Sequence, residues 1–364
     1  MSERKPKADK AVTVTLQLSV SDLPSVTARV LSGCDIDWTL ADASGEQVAL
    51  FNWDRNILTF SDRLEAEGYA VHWQCAQKRI SQSKEKSEHC HRPTYYWPAN
   101  PSVLAIVPHW KCEQWLRRCL HSVVNQSHPL TNVVVVDDGS DTSPVEIIKA
   151  FPSVTLLASP VPQVGPYRLV QSVIERVDYT AFLFQDADDW SSRDRLQTLL
   201  NTACAHKAEL VGSQEIRVVE PEQTIQAVGY PIEVNAALRY APGHALLHPT
   251  SLVTQSLLQR VGGFATGLRF GADSEFLLRA HWIARSVNSA QFCYFRRKRP
   301  ESLTTASDTG LDSVERKVLT ARIKEKAITN KQAIEKGEPP DLTPLSVKPL
   351  LDLRYVCGPK LRWR

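Results

Sequence analysis

The sequence predicts an α/β fold built on a mostly parallel sheet flanked by helices, and three observations predict it. Short apolar runs alternate with helical stripes from Pro101 onward. The runs are five to seven residues long, the length of strands buried on both faces. Acidic clusters follow two of them directly, where open α/β sheets carry their ligand crevice.

At 364 residues with 43% hydrophobic content, the chain has room for more than one unit and can bury a real core. Residues 1–10 read as a polar tail. Val12, Val14, Leu16, Leu18 and Val20 then alternate at period two, as in a half-buried strand. A second β-rich patch spans 38–53 around a Ser44-Gly45 turn. The polar stretch 78–92, followed by Pro93 and Pro98, reads as a linker. We therefore expect a β-rich accessory region over 1–98, a main domain over 99–305 and a basic helical extension over 306–364.

Within the main domain, SVLAIVP (102–108) is the first strand. Trp115, Leu116, Cys119, Leu120, Val123 and Val124 form the stripe of a helix. NVVVV (132–136) is the second strand, 144–151 a short helix and VTLLA (154–158) the third strand. A helix over 165–177, the strand TAFLF (180–184) and a helix over 192–204 follow, the last capped by Ser191 or Ser192. A further helix is expected over 253–261. In the extension, Leu319, Ile323 and Ile328 are expected to face the main domain, with Arg316, Lys317, Lys324 and Lys331 exposed.

Several classes are excluded. No apolar run approaches the length of a spanning helix, and the polar start lacks a signal core, so a cytoplasmic protein is expected. The eight cysteines form no CxxC pair and read as reduced thiols. His72, Cys75, His89, Cys90 and His91 have zinc-ligand types without zinc spacing. There is no P-loop, no G-x-G-x-x-G and no G-x-S-x-G. Net charge is +3, but residues 285–364 hold 17 Lys/Arg against 9 Asp/Glu, a net of +8. That excess suits either a solvated surface or an anionic partner.

Two strand ends carry the chemistry. Asp137-Asp138-Gly139-Ser140 follows the second strand, and Gln185-Asp186-Ala187-Asp188-Asp189 follows the fourth. Carboxylates crowded into one crevice repel unless a cation or donors offset them. Mg²⁺ or Mn²⁺, which favour carboxylate oxygens and bridge phosphates, would do so. An acidic capped turn is the structural alternative.

The ordered series Pro108-His109-Trp110-Lys111, VVVVDDGSDTS, AFLFQDADDW, VGGF…FGADSEFLLRA and RRKRPESLTT resembles glycosyltransferase family 2, over roughly residues 101–305. The resemblance implies a GT-A fold and a metal-dependent, inverting transfer of a hexose from a nucleotide-diphosphate sugar, most often a UDP-sugar. The acceptor would be a hydroxyl of a glycan or lipid-linked molecule. It implies that Pro108 and His109 line the nucleobase pocket and that Asp138 accepts from base or ribose. Asp188 would ligate Mn²⁺ or Mg²⁺, and Asp186 would hold the ribose or the ion's water shell. Arg168, Arg297 and Arg299 would meet the diphosphate. Asp273 would be the catalytic base, with a helix N-cap as its other reading; His248 would touch the acceptor.

Four positions depart from the pattern: Ala272 replaces a Glu, Gln171 an Asn, Val170 an Arg, and Arg299 a His. A nucleotidyltransferase on a similar sheet, or a non-catalytic sugar- or nucleotide-binding module, are the alternatives. Acceptors of this kind, with the basic extension, also suggest weak peripheral contact with an anionic membrane face.

Overall fold

The computed structural model describes residues 94–219 and 224–364, together with the backbone of five short strands nearer the N-terminus. These are β1 (Ala11–Leu16), β2 (Val26–Ser32), β3 (Asp37–Asp42), β4 (Gln47–Asn52) and β5 (Ile57–Phe60), paired antiparallel in sequence order. The residues weighed for zinc lie outside the described residues.

The main sheet is built on the expected apolar runs. β6 (Val103–His109), β7 (Asn132–Asp137), β8 (Val154–Ala158) and β9 (Ala181–Phe184) pair in parallel, in the order β8-β7-β6-β9. Period-two alternation sends Leu104 and Ile106 into one core cluster, and Val103, Ala105 and Val107 into the other. Both faces are therefore covered, and the runs read as continuously apolar.

Beyond β9 the sheet becomes mixed. β13 (Leu252–Thr254) is antiparallel to β9 and to β11 (Leu210–Val219), β12 (Thr224–Val228) is antiparallel to β11, and β14 (Ser286–Lys298) runs parallel to β11. The two-residue β10 (Trp190–Ser191) pairs antiparallel with β14. Helices α1 (Glu113–Val124), α2 (Val145–Ile148), α3 (Pro166–Ile174) and α4 (Arg195–His206) connect the first strands. α4 starts later than the sequence suggested: Asp194 holds the cap position and no side-chain cap bond forms. Ser191 is instead a strand residue whose hydroxyl donates to Gln185 at 2.7 Å.

After α5 (Val234–Tyr240) come α6 (Gln255–Val261), α7 (Ala272–Ala280) and α8 (Val314–Glu335). Thr254 caps α6 and Ser313 caps α8, each accepting from the third residue onward. Among the described residues no helix is long and apolar enough to cross a membrane.

The extension departs from expectation in two ways. Only α8 is helical; from Gly337 the chain runs extended over the main domain. Pro339, Pro340, Pro344, Pro349 and Pro359 explain this, since proline lacks the donor a helix needs. This strap ends as β15 (Arg354–Cys357), an antiparallel edge strand on β8. The buried face of α8 also differs. Ile323, Ala327 and Asn330 are buried, a 3.5-residue rhythm, and this turns Ile328 outward at 47% exposed.

Backbone and side-chain bonds anchor the strap along its length. The Leu345 N–H donates to Glu275, Lys348 N–H to Thr266, and Leu351 N–H to Ser172. The Thr155 hydroxyl donates to the Pro359 carbonyl at 2.6 Å. Leu351, only 4% exposed, belongs to the core. Leu351→Ala should therefore cost about 2–4 kcal/mol in urea unfolding; a change under about 0.5 kcal/mol would mean a solvated tail.

Candidate functional site

The acidic loop after β9 is held from beneath by a buried arginine. Arg195, fully enclosed, donates from Nη1 to Gln185 Oε1 and Ser191 Oγ, both at 2.9 Å. Its Nη2 donates to the Phe184 carbonyl at 2.8 Å and the Pro249 carbonyl at 2.6 Å. Tyr294 stacks against the guanidinium at 4.8 Å, and its hydroxyl accepts from the Asp186 N–H at 3.1 Å. Burial lowers the Arg195 pKa to about 10, so it stays charged at neutral pH.

Above this floor stand three carboxylates. Asp189 is buried and accepts from the Arg297 N–H at 2.6 Å, so it closes the loop onto β14. Burial first, and then the Asp188 charge, raise its pKa. The same causes, in the same order, raise Asp186 to about 7. Asp188 Oδ2 accepts from Arg299 Nε at 2.7 Å, while its Oδ1 makes no hydrogen bond among the described residues.

These residues fit a hard divalent cation in part. Asp186 and Asp188 offer oxygen donors, and their mutual repulsion is what a cation would relieve. No group of three or more ligating side chains gathers among the described residues. Phosphate or water oxygens would have to complete the coordination.

Strand alternation sorts the basic run of β14. Arg297 and Arg299 share one face: Arg297 Nε donates to the Asp188 carbonyl at 3.1 Å, and both guanidiniums stack on Trp115, at 5.7 and 4.4 Å. Arg296 and Lys298 take the other face, beside β11 residues Glu215 and Arg217. The sequence reading named only the first pair.

The loop after β7 turns inward on itself. Gly139 sits at φ +76° and packs against Pro162, where an added Cβ would fall 2.7 Å from the proline's own. Asp138 accepts from the N–H groups of Val164 and Gly165, both at 2.9 Å, so its carboxylate organises the start of α3. His109 is buried, with Nδ1 3.0 Å from Asp137 and Nε2 unpartnered among the described residues. Burial tends to raise the Asp137 pKa, but bonds from His109 and Ser140 outweigh it and the net shift is downward. Pro108, half-buried, ends β6 beside this loop.

Asp273 lies in the first turn of α7, where Gly271 at φ +76° takes the cap position and Asp273 makes no cap bond. Its carboxylate is in no hydrogen bond or ion pair among the described residues. Its charge reaches Asp186, His248, Tyr167 and Arg316. Arg316 is therefore not the free surface residue expected. It stacks on Phe270 at 4.5 Å and donates to the carbonyls of Thr309 and Leu303, both at 2.7 Å. Arg168 turns toward the strap and donates to the Pro349 carbonyl at 2.9 Å, while its charge reaches Asp138. Gln171 accepts from the Phe264 N–H at 2.9 Å.

His248 is buried in an aromatic cluster, with ring centroids 4.2 Å from Phe184, 5.1 Å from Phe264 and 5.4 Å from Tyr167. Burial lowers its pKa to about 4.

Fold and site together define a class: an α/β domain whose strand ends gather carboxylates and guanidiniums around one crevice. The family model described as "Glycosyl transferase family 2" matches residues 104–246, the stretch that carries both acidic strand ends. Glycosyltransferase GlyA of Streptococcus pneumoniae serotype 4 is 28% identical over 110 residues, 30% of this chain and 16% of that protein. Putative glycosyltransferase EpsH of Bacillus subtilis is 24% identical over 52% of this chain and 58% of its own length. The chain thus spans less than two thirds of these curated relatives. The crystal structure of S. aureus TarS 1–349 in complex with UDP-GlcNAc aligns with 64% of this chain and 73% of that one. The TM-score is 0.49 at 19% identity.

Two outcomes check this geometry. Arg195→Leu leaves two buried carbonyls unpaired and Gln185 Oε1 with only the Ser191 hydroxyl, and should lower unfolding free energy by about 3–5 kcal/mol. Arg195→Lys, lacking the fork, should recover only part of it in the same urea titration.

For His248, the unfolded ring protonates near pH 6.5 and the folded ring near 4. Its neutral state therefore contributes full stability above about pH 6.5, lost progressively as pH falls toward 4. His248→Phe should flatten the fall in thermal midpoint between pH 7 and 5. Parallel curves for the two proteins would remove His248 from this role.

Proposed function

We propose that the protein is a metal-dependent, inverting glycosyltransferase moving a hexose from a nucleotide-diphosphate sugar, with UDP as nucleotide, to a hydroxyl of a glycan or lipid-linked acceptor. The observation that carries this is the Asp186–Asp188 pair at the end of β9, with Arg297 and Arg299 bonded to Asp188 and the Asp273 charge acting on Asp186.

Asp186 and Asp188 would hold a Mn²⁺ or Mg²⁺ ion, which supplies charge stabilisation for the departing diphosphate. Arg297 and Arg299 would add planar donors to the same phosphates. Asp273 would take the proton of the acceptor hydroxyl as its oxygen attacks the anomeric carbon. The bond from that carbon to the diphosphate oxygen breaks, the electron pair leaves with the nucleotide diphosphate, and the single displacement inverts the centre. Pro108 and His109, at the β6 end, would stand beside the base. Asp138 would act there by fixing the Val164–Gly165 turn. His248 would shape the acceptor side from its aromatic cluster.

Asp273→Asn keeps the shape but cannot take the proton. Release of UDP from a panel of UDP-sugars with Mn²⁺ should fall by about 10²–10⁴, while UDP affinity by calorimetry stays within about twofold. Wild-type release in the variant would remove Asp273 as base, and no release from any donor with the native protein would leave a binding module.

A further inference from the structure

The Asp188 carboxylate already faces a cation. Arg299 Nε donates to its Oδ2 at 2.7 Å, and both side chains are only 16% exposed, so solvent screens the pair little. The guanidinium is held in place by its surroundings. It stacks on Trp115 at 4.4 Å, and the Thr305 hydroxyl donates to the Arg299 carbonyl at 2.6 Å.

The rest of the acidic loop is compensated in the same way. The charges of Arg195 and Arg296 reach Asp186, Arg296 also reaches Asp189, and Arg297 bonds the Asp188 carbonyl. A divalent ion alone therefore meets carboxylates that cations already stabilise. Arginine offers no lone pair to a metal and keeps its charge at any ordinary pH. An ion taking the open Oδ1 of Asp188 would share one carboxylate with the Arg299 guanidinium, and like charges repel at that range.

A nucleotide diphosphate changes this balance, because it brings negative charge and oxygen ligands of its own. Arg299 has donors to turn toward it. Among the described residues Nη1 meets only the Pro300 carbonyl and Nη2 only the Cys112 thiol, both at 3.5 Å, the long limit of a hydrogen bond.

We propose that Arg299 is a counter-cation that opposes divalent binding at Asp188 and makes it conditional on the nucleotide diphosphate. The ion itself rests on the glycosyl-transfer reading; the antagonism comes from the Arg299–Asp188 pair. Ion and nucleotide then bind as a coupled pair, each tightening the other by the same factor.

Calorimetry on the full chain tests this with Mn²⁺ alone, UDP alone and the two together. UDP should tighten Mn²⁺ on the native protein by about tenfold or more. Arg299→Gln removes the charge and should tighten Mn²⁺ alone by about tenfold, while UDP alone weakens and the coupling shrinks. Arg299→Lys keeps the charge without the fork and should hold Mn²⁺ alone within about threefold of the native value. Should circular dichroism show the Gln variant unfolded, Arg299→Met, whose stem still covers Trp115, takes its place. The native coupling is a reading that needs no variant.

Mn²⁺ affinity that is unchanged or weaker in Arg299→Gln overturns the proposal; weakening would make Arg299 a support that orients Asp188. So does Mn²⁺ binding as tightly to the native protein without UDP as with it. If UDP–Mn²⁺ still binds in those cases, the donor-site reading stands and the antagonism alone falls. Mn²⁺ that binds neither protein, with or without UDP, removes the metal from the reading and the proposal with it.

Discussion

The crevice depends on one buried guanidinium. Arg195 joins the end of β9, the start of β10 and the turn before β13 through four hydrogen bonds. Three carboxylates within four residues would repel one another and pull the loop toward solvent. A fixed positive charge beneath them, with the Asp186 N–H tied to Tyr294 and Asp189 tied to the Arg297 N–H, holds the loop in place. Its desolvation is offset because the Phe184 and Pro249 carbonyls it faces would otherwise be buried without a donor.

The second constraint is the two-residue period of a strand. The run Arg296-Arg297-Lys298-Arg299 reads as one basic stretch, yet pleating divides it between two sides of the sheet. Arg297 and Arg299 meet tryptophan faces and Asp188; Arg296 and Lys298 meet Glu215 and Arg217. A single strand thereby gives the crevice two electrostatic walls. This is a property of the backbone: one short segment presents its cations to two different sets of carboxylates.

Much of this was legible in the sequence. The apolar runs ending in DDGS and DADD gave strand ends and crevice, because continuous burial leaves a pattern that composition preserves. What those acids touch was not legible. Asp138 bonds to Val164 and Gly165 from a loop more than twenty residues away, so it organises local backbone where the resemblance implied a nucleotide contact. Arg195 looked like an ordinary residue in the first turn of a helix, since its partners come from three separate segments. The strap was hidden for another reason. Proline-rich, weakly apolar text carries no periodicity, and much of its attachment comes from backbone groups bonded to side chains such as Thr266, Ser172 and Glu275. Ile328 was misplaced because an apolar residue outweighed the rhythm that Ala327 and Asn330 follow.

The extension also bears on Asp273. In the ADSEFLLRA segment two acids are available to the first turn of α7, and their fates differ. Glu275 is buried against Arg279, whose guanidinium also donates to the Val261 and Gly263 carbonyls. That pair locks α7 to the turn after α6. The cap position falls to Gly271, whose φ of +76° a side chain would strain, and a Cβ there would come 3.3 Å from Leu319 of α8. With the cap taken by a glycine and the structural ion pair taken by Glu275, Asp273 has neither task. A helix N-terminus stabilises its negative charge without consuming its lone pairs. The packing of α8 on Gly271 thus belongs to the same arrangement: the C-terminal helix holds the turn in which Asp273 enters no hydrogen bond among the described residues.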